Sequence, residues 1–138
     1  MRVCASASEA ELERALAVCG GIPEAEDIRP AEVGLVMLRG RMGGDGAAFN
    51  IGEATVTRAA VRLASGTAGF SYLLGRSPRR ARLAAIVDAL GQDGAWRETL
   101  EAALAVPVNA RRAEAARVQA EETAATRVNF FTVVRGED

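Results

Sequence analysis

Apolar residues recur along this chain first with a helical period, then in a two-residue alternation, then with a helical period again. Ser8 and Glu11 have capping-box spacing, and Leu12, Ala15, Leu16 and Cys19 follow at i, i+3, i+4 and i+7. The spacing predicts a helix over about 9–19, ended by Gly20-Gly21. Pro23 to Pro30 reads as a short acidic connection with a brief edge strand around Ala25 to Ile28. From Glu32 to Met42 the pattern turns to alternation: Val33, Leu35 and Met37 lead to Arg39 and Arg41, while Val36, Leu38 and Met42 lie on the other face. Gly43-Gly44-Asp45-Gly46 suits a hairpin turn, because these residues tolerate positive φ. A second strand is expected from near Ala47 through Leu63, with a bulge at Gly52. After a tight turn at Ser65-Gly66, Thr67 to Leu74 returns as a third strand with Phe70, Tyr72 and Leu74 on one face. Turns this short make consecutive strands antiparallel neighbours.

Helical periodicity resumes after Gly75. Ser77 is placed to cap, Pro78 suits the first helical position, and Leu83, Ile86, Val87 and Leu90 form an apolar stripe to lay on the sheet. Gly91 to Gly94 breaks that helix, and Trp96, Leu100, Ala103 and Leu104 mark a shorter one. Pro107 is expected to separate it from a long third helix, about Ala110 to Arg127, capped by Asn109. That helix offers alanine on every face, with Val118 its one large apolar residue, so it forms readily but has little to bury. The apolar tail at 128–135 follows. Such a run either adds a strand to the sheet or docks into a partner. The fold class is therefore α+β in one domain over 1–138. An antiparallel meander of about three to five strands (about 25–74) packs with the N-terminal helix and two or three C-terminal helices (about 78–127).

Composition narrows the chemistry. The chain of 138 residues is 49% hydrophobic but only 4% aromatic, so large core side chains are scarce and close packing on alanine or burial against another subunit must compensate. Net charge is −1, without the basic field of a nucleic-acid binder. All 17 basic residues are arginine. Codon bias from a GC-rich genome accounts for this simply. It leaves no histidine as general base or metal ligand and no lysine for a Schiff base. Cys4 and Cys19 alone do not suggest a metal site, and they read as reduced thiols of a cytoplasmic protein. Met1 to Ser8 has no apolar signal core, and no stretch has the length of a membrane span.

The glycine-rich turn at 43–46 is not a phosphate loop, since neither lysine nor helix follows it. The arginines carry more. Arg58 and Arg62 share one face of their strand, and Arg39 and Arg41 share a face of the preceding one. These four guanidinium groups are expected to crowd one patch of sheet, with Glu53 balancing part of the charge. Three readings stay open: contact with a polyanion, ion pairs with an acidic partner surface, or plain solvation. Arg76, Arg79 and Arg80 stand at the start of a helix, where the macrodipole already places positive charge, which hints at something anionic nearby, a ligand or a partner. The candidates for anion or partner binding are Arg41, Glu53, Thr57, Arg58, Arg62 and Arg76. Those for a partner interface are Phe130, Phe131, Val133 and Arg135. No pair of acids suggests a catalytic dyad, and no catalytic residue is assigned.

The run Arg41-Met42-Gly43-Gly44, Gly46, Phe49 and Gly52 through Leu63 resembles the PhnG family of the bacterial carbon–phosphorus lyase system for phosphonate use. The resemblance continues through Gly66, Gly69, Tyr72, Gly75-Arg76, Asp88-Ala89-Leu90, and the tail at Ala125, Arg127-Val128, Phe130-Phe131-Thr132 and Val134-Arg135-Gly136. It spans from about Glu32 to the C-terminus. At the start the chain departs from the family pattern, lacking a tryptophan-containing lead-in before the first helix. The resemblance implies a small subunit of a core complex with PhnH, PhnI and PhnJ, acting with PhnI, PhnH and PhnL. The reaction implied is displacement of adenine from MgATP by an alkylphosphonate, giving ribose 1-alkylphosphonate 5-triphosphate. It further implies that MgATP is a substrate of the complex, that this subunit binds no cofactor alone, and that PhnI supplies the nucleosidase chemistry. Neither nucleic acid nor membrane is an expected partner, and a homodimer through the tail is expected only when the other subunits are missing.

Overall fold

The computed structural model describes residues 2–42 and 45–126. The expected helix and meander are both present. A short helix α1 (Arg2–Ser6) precedes α2 (Glu9–Val18), then come β1 (Ala25–Gly40), β2 (Phe49–Leu63) and β3 (Ala68–Leu74). The last elements are α3 (Pro78–Gly91), α4 (Gly94–Leu100), a π-helical turn (Glu101–Ala105) and α5 (Val106–Ala125). The strands form one antiparallel sheet in the order β1-β2-β3, with β2 central. The fold is α+β, with the helices gathered on one face of the sheet.

Local signals set both ends of α2 as read. The capping box at α2 is complete: Ser8 Oγ accepts from the Glu11 N–H, and Glu11 Oε2 accepts from the Ser8 N–H at 2.7 Å. Gly20 and Gly21, at φ 93° and 104°, donate to the carbonyls of Ala17 and Leu16 and close the helix in a Schellman turn. Helix α3 buries the predicted Leu83, Ile86, Val87 and Leu90, together with four of its alanines, Ala81, Ala84, Ala85 and Ala89. Its backbone comes so close to β3 that a Cβ at Gly69 would lie 2.0 Å from the Ala85 carbonyl oxygen. That approach explains how an alanine-rich chain fills a core. Small residues let the helix sit down on the sheet instead of standing off on bulky side chains.

Four local expectations are corrected. The brief strand and the long strand before the hairpin are one, Ala25–Gly40, because two register shifts between Asp27 and Glu32 absorb Pro30 on an edge strand. Ser77 does not cap α3 with its hydroxyl. Its own N–H donates instead to Thr57 Oγ1 at 3.0 Å. Pro107 does not separate two helices. The helix widens into a π turn just before it, with the Val106 N–H bonded to Glu101, and continues through the proline at the start of α5. Asn109 thus lies inside α5, and the capping side chain is Asp93, which accepts from the Ala95 N–H at the start of α4. The expected bulge near Gly52 is a register shift opposite Leu38 and Arg39.

Candidate functional site: the open face of the sheet

Alternation along β2 divides its residues between two environments. Thr57, Ala59, Val61 and Leu63 point toward the helices and are buried. Arg58 and Arg62 point to the opposite, uncovered face, beside the exposed Phe70 and Tyr72 of β3. The register runs one row across the sheet, Glu32, Arg58 and Tyr72. Arg58 Nε donates to Glu32 Oε1 at 2.7 Å, and Arg29 Nη1 reaches the same oxygen at 3.4 Å. One carboxylate is thus shared by two guanidiniums, in a shallow groove of about 500 Å3 walled by Ile28, Phe70 and Tyr72 over Ala60. All three charged side chains are about half exposed, so these pairs contribute between nothing and about 1 kcal/mol. Their significance is chemical. A row of two arginines, one acid and two aromatic faces has spare guanidinium N–H groups and apolar area for a partner side chain or an anion.

The structure does not assemble the four-arginine patch. Arg39 pairs with Asn50, eight residues along β2 from Arg58, a separation of about 26 Å in an extended strand. Arg41 lies beyond the end of β1. Glu53 pairs with Met37, on the face opposite Arg58; the acid that meets Arg58 is Glu32. Sequence reasoning missed Glu32 and Arg29 because the register shifts around Pro30 decide which β1 residues stand opposite Arg58. Arg62 remains on the open face, opposite Glu26 in register. Thr57 is wholly buried and serves the fold. Its hydroxyl donates to the Gly75 carbonyl at 2.6 Å while accepting from Ser77, fixing the turn that carries the exposed Arg76.

Near the start of α3 the structure offers Arg79 acids of the chain itself in place of the expected ligand or partner anion. Arg79 pairs with Glu9 and Glu13 of α2, and Arg82 donates to Asp27 Oδ1 at 2.8 Å and to the Ala25 carbonyl. Arg80 donates to the Leu74 carbonyl at 3.0 Å. A similar bond anchors α5: Arg111 donates to Glu11 at 3.0 Å and to the Ser6 carbonyl. The Arg111 guanidinium, aided by the Ser8 N–H, holds the Glu11 carboxyl well down, at about 2. Burial pushes both the Cys4 and Cys19 thiols up, as suits packing residues. Among the described residues no three histidine, cysteine or acidic side chains converge as a metal site, and no helix is long and apolar enough to cross a membrane. Phe130, Phe131, Val133 and Arg135 lie outside the described residues.

A second exposed region adjoins the open face. Beyond Val56, which pairs with Leu74 at the end of β3, the strands β1 and β2 run on as a two-stranded ribbon. Both of its faces are uncovered: Leu35 and Met37 on one, Leu38 on the other, and Phe49 and Ile51 from β2 are between 45% and 63% exposed. An isolated pair of strands is marginal in water, and large apolar residues on its two faces mark an association surface.

The family profile described as Phosphonate metabolism protein PhnG matches residues 1–136. A protein of Rhizobium meliloti (strain 1021), named Alpha-D-ribose 1-methylphosphonate 5-triphosphate synthase subunit PhnG, is 54% identical over 138 residues, covering 100% of this chain and 88% of that protein. With the profile spanning nearly every residue and a relative 54% identical over the whole chain, the chain belongs to the PhnG family.

Proposed function

We propose that this chain is a non-catalytic, organising subunit of a ribose 1-alkylphosphonate 5-triphosphate synthase, working in the cytoplasm. Its partners would be PhnI, PhnH and PhnL, with PhnJ in the same core complex. The reaction would be a transfer in which an alkylphosphonate oxygen displaces adenine from C1′ of the ribose of MgATP. MgATP is then a substrate of the assembly, this subunit holds no cofactor of its own, and alone it is inactive. The observation that carries the reading is the projecting ribbon with apolar residues on both faces, in a chain whose 54% identical relative is named as a synthase subunit. The side chains support it. The chain has no histidine or lysine, and Arg79 and Arg82 of α3 are engaged by the protein's own acids.

A second reading is favoured by the row of Glu32, Arg58 and Tyr72 beside Arg29, where free guanidinium N–H groups stand next to an aromatic face. In it, Arg58, with Arg62 or Arg76, lends positive charge to a shared triphosphate or phosphonate site. Replacing Arg58 with alanine separates the two. The organising reading expects adenine release by the assembled complex to stay within about twofold of the unaltered protein. A loss of a hundredfold or more with assembly intact, the scale of a removed oxyanion donor, establishes the second reading instead.

A further inference from the structure

The two edges of the sheet are treated differently. Along β2, the Leu63 N–H donates to the Thr67 carbonyl and the Thr55 carbonyl accepts from the Gly75 N–H, so the odd-numbered residues of β2 turn their backbone groups toward β3. Alternation then turns Gly52, Ala54, Val56 and Arg58 toward β1, where they face Leu38, Val36, Gly34 and Glu32 without a register break. It follows that the N–H and C=O groups of Val33, Leu35 and Met37 all point away from the sheet, along its outer edge. On β3 the outward groups are the even-numbered ones, and α3 covers them. Asp88 accepts from the Phe70 N–H at 3.0 Å, Gln92 donates to the Ala68 carbonyl at 2.8 Å, and Arg80 to that of Leu74. Among the described residues nothing reaches the backbone of β1 beyond Ala25. The usual guards of a bare edge are proline, bulges and inward charge. Here the proline and both early register shifts lie before Glu32, leaving Val33 to Leu38 regular and apolar.

We infer that this outer edge, at Val33, Leu35 and Met37, takes an extended strand from a companion subunit, which joins the sheet antiparallel or parallel beside β1. The inference rests on the subunit reading and names how the partner is held. Main-chain hydrogen bonds select a strand over a helix, since a helix has no free backbone groups to give. Exposed apolar side chains flank this edge on both sides, Leu35 and Met37 on one face of β1 and Leu38 on the other, so an added strand meets apolar surface along its length. Charge defines the strand's end. Among the described residues Arg39 and Arg41 have no carboxylate partner, whereas Arg29 and Arg58 share Glu32. The partner segment is therefore apolar where it crosses Val33 to Met37 and acidic where it passes Arg39.

Hydrogen exchange on the full chain, alone and co-purified with the companion subunits of the synthase, tests this directly. In the lone chain the amides of Val33, Leu35 and Met37 exchange rapidly, while those of Gly34 and Val36, bonded to β2, are slow. In the complex the three outward amides slow by about a hundredfold, as a ladder hydrogen bond requires. Leu35→Pro removes one outward N–H without touching the ladder to β2, and lowers recovery of the complex at least about tenfold, where Leu35→Ala lowers it severalfold less. Circular dichroism of the lone variant checks that it folds. If it does not, Leu35→Lys replaces it, since lysine on an edge strand keeps the backbone and repels pairing. Unaltered exchange of the three amides in an intact complex overturns strand addition while leaving the subunit reading standing. Failure of the unaltered chain to co-purify overturns the subunit reading itself. Protection already present in the lone chain, with a doubled mass, assigns the edge to a second copy and overturns the companion strand.

Discussion

The two halves of β2 share one alternating pattern and meet opposite fates. From Val56 to Leu63 the strand lies between two neighbours under α3, and Thr57 and Val61 are wholly buried. From Phe49 to Thr55 it has one neighbour and no cover, and Phe49 and Ile51 stay about half exposed or more. Strand propensity does not separate the halves. What does is the length of β3, which stops at Leu74, and the reach of α3 across it. The lesson is that alternation states which residues share a face, never what lies on that face. A subunit can thus carry two kinds of apolar strand surface in one sequence pattern, one spent on its own core and the other held for assembly.

The sharpest test of the contrast compares Ile86→Ala with Leu35→Ala in the isolated chain. Urea unfolding should show a loss of about 2–5 kcal/mol for the first, a core cavity. For the second, a surface truncation, the change should lie within about 0.5 kcal/mol. A comparable loss at Leu35 would mean that the ribbon is already covered in solution. Next comes Thr57, which sits where the covered half meets the turn into α3. Thr57→Val keeps the shape but strands the Gly75 carbonyl and the Ser77 N–H, and should destabilise by about 1–3 kcal/mol. The partly exposed Thr55 is the control, and its valine variant should melt with the unaltered protein.

The smallest effect concerns α5, which repeats the contrast in a helix. Its base is tied down by Arg111 to Glu11, while every residue from Ala113 to Thr126 is exposed. Glu11 has its carboxyl held at about 2, below the ordinary 4.5. Because the folded value is the lower one, its contribution is fully present above pH 4.5 and is lost as pH falls toward 2. Glu11→Gln should therefore cost about 1 kcal/mol at neutral pH, of the size of a lost cap. Stability curves of the two proteins should converge in acid, and a gap that persists near pH 2 would place the effect in packing.

Much of the site was legible, and what was not has a common cause. Arg58 and Arg62 could be placed on one face because alternation is local to a strand. Their acid partner could not, because Glu32 reaches Arg58 only after two register shifts around Pro30, which no local pattern counts. A ligand or partner anion was expected at the start of α3, whereas the acids that meet Arg79 and Arg82 lie in α2 and β1, segments distant along the chain. The break expected at Pro107 failed for a different reason: a π turn lets a helix pass a proline, and the sequence does not announce it.

By itself the sequence determined the α2 helix and its ends, the three-stranded meander and the apolar stripe of α3, since capping boxes, glycine stops and short turns act within a few residues and are energetically local. It also determined the family, through the long shared run from Arg41 to Leu63. Only the tertiary structure decided which apolar strand residues became core and which remained a bare ribbon, which acid met which arginine, and which edge of the sheet stayed open. Those outcomes depend on register and on the footprint of α3. Both are set by contacts between residues far apart in the chain, where hydrogen bonding and close packing, not local propensity, choose the partner.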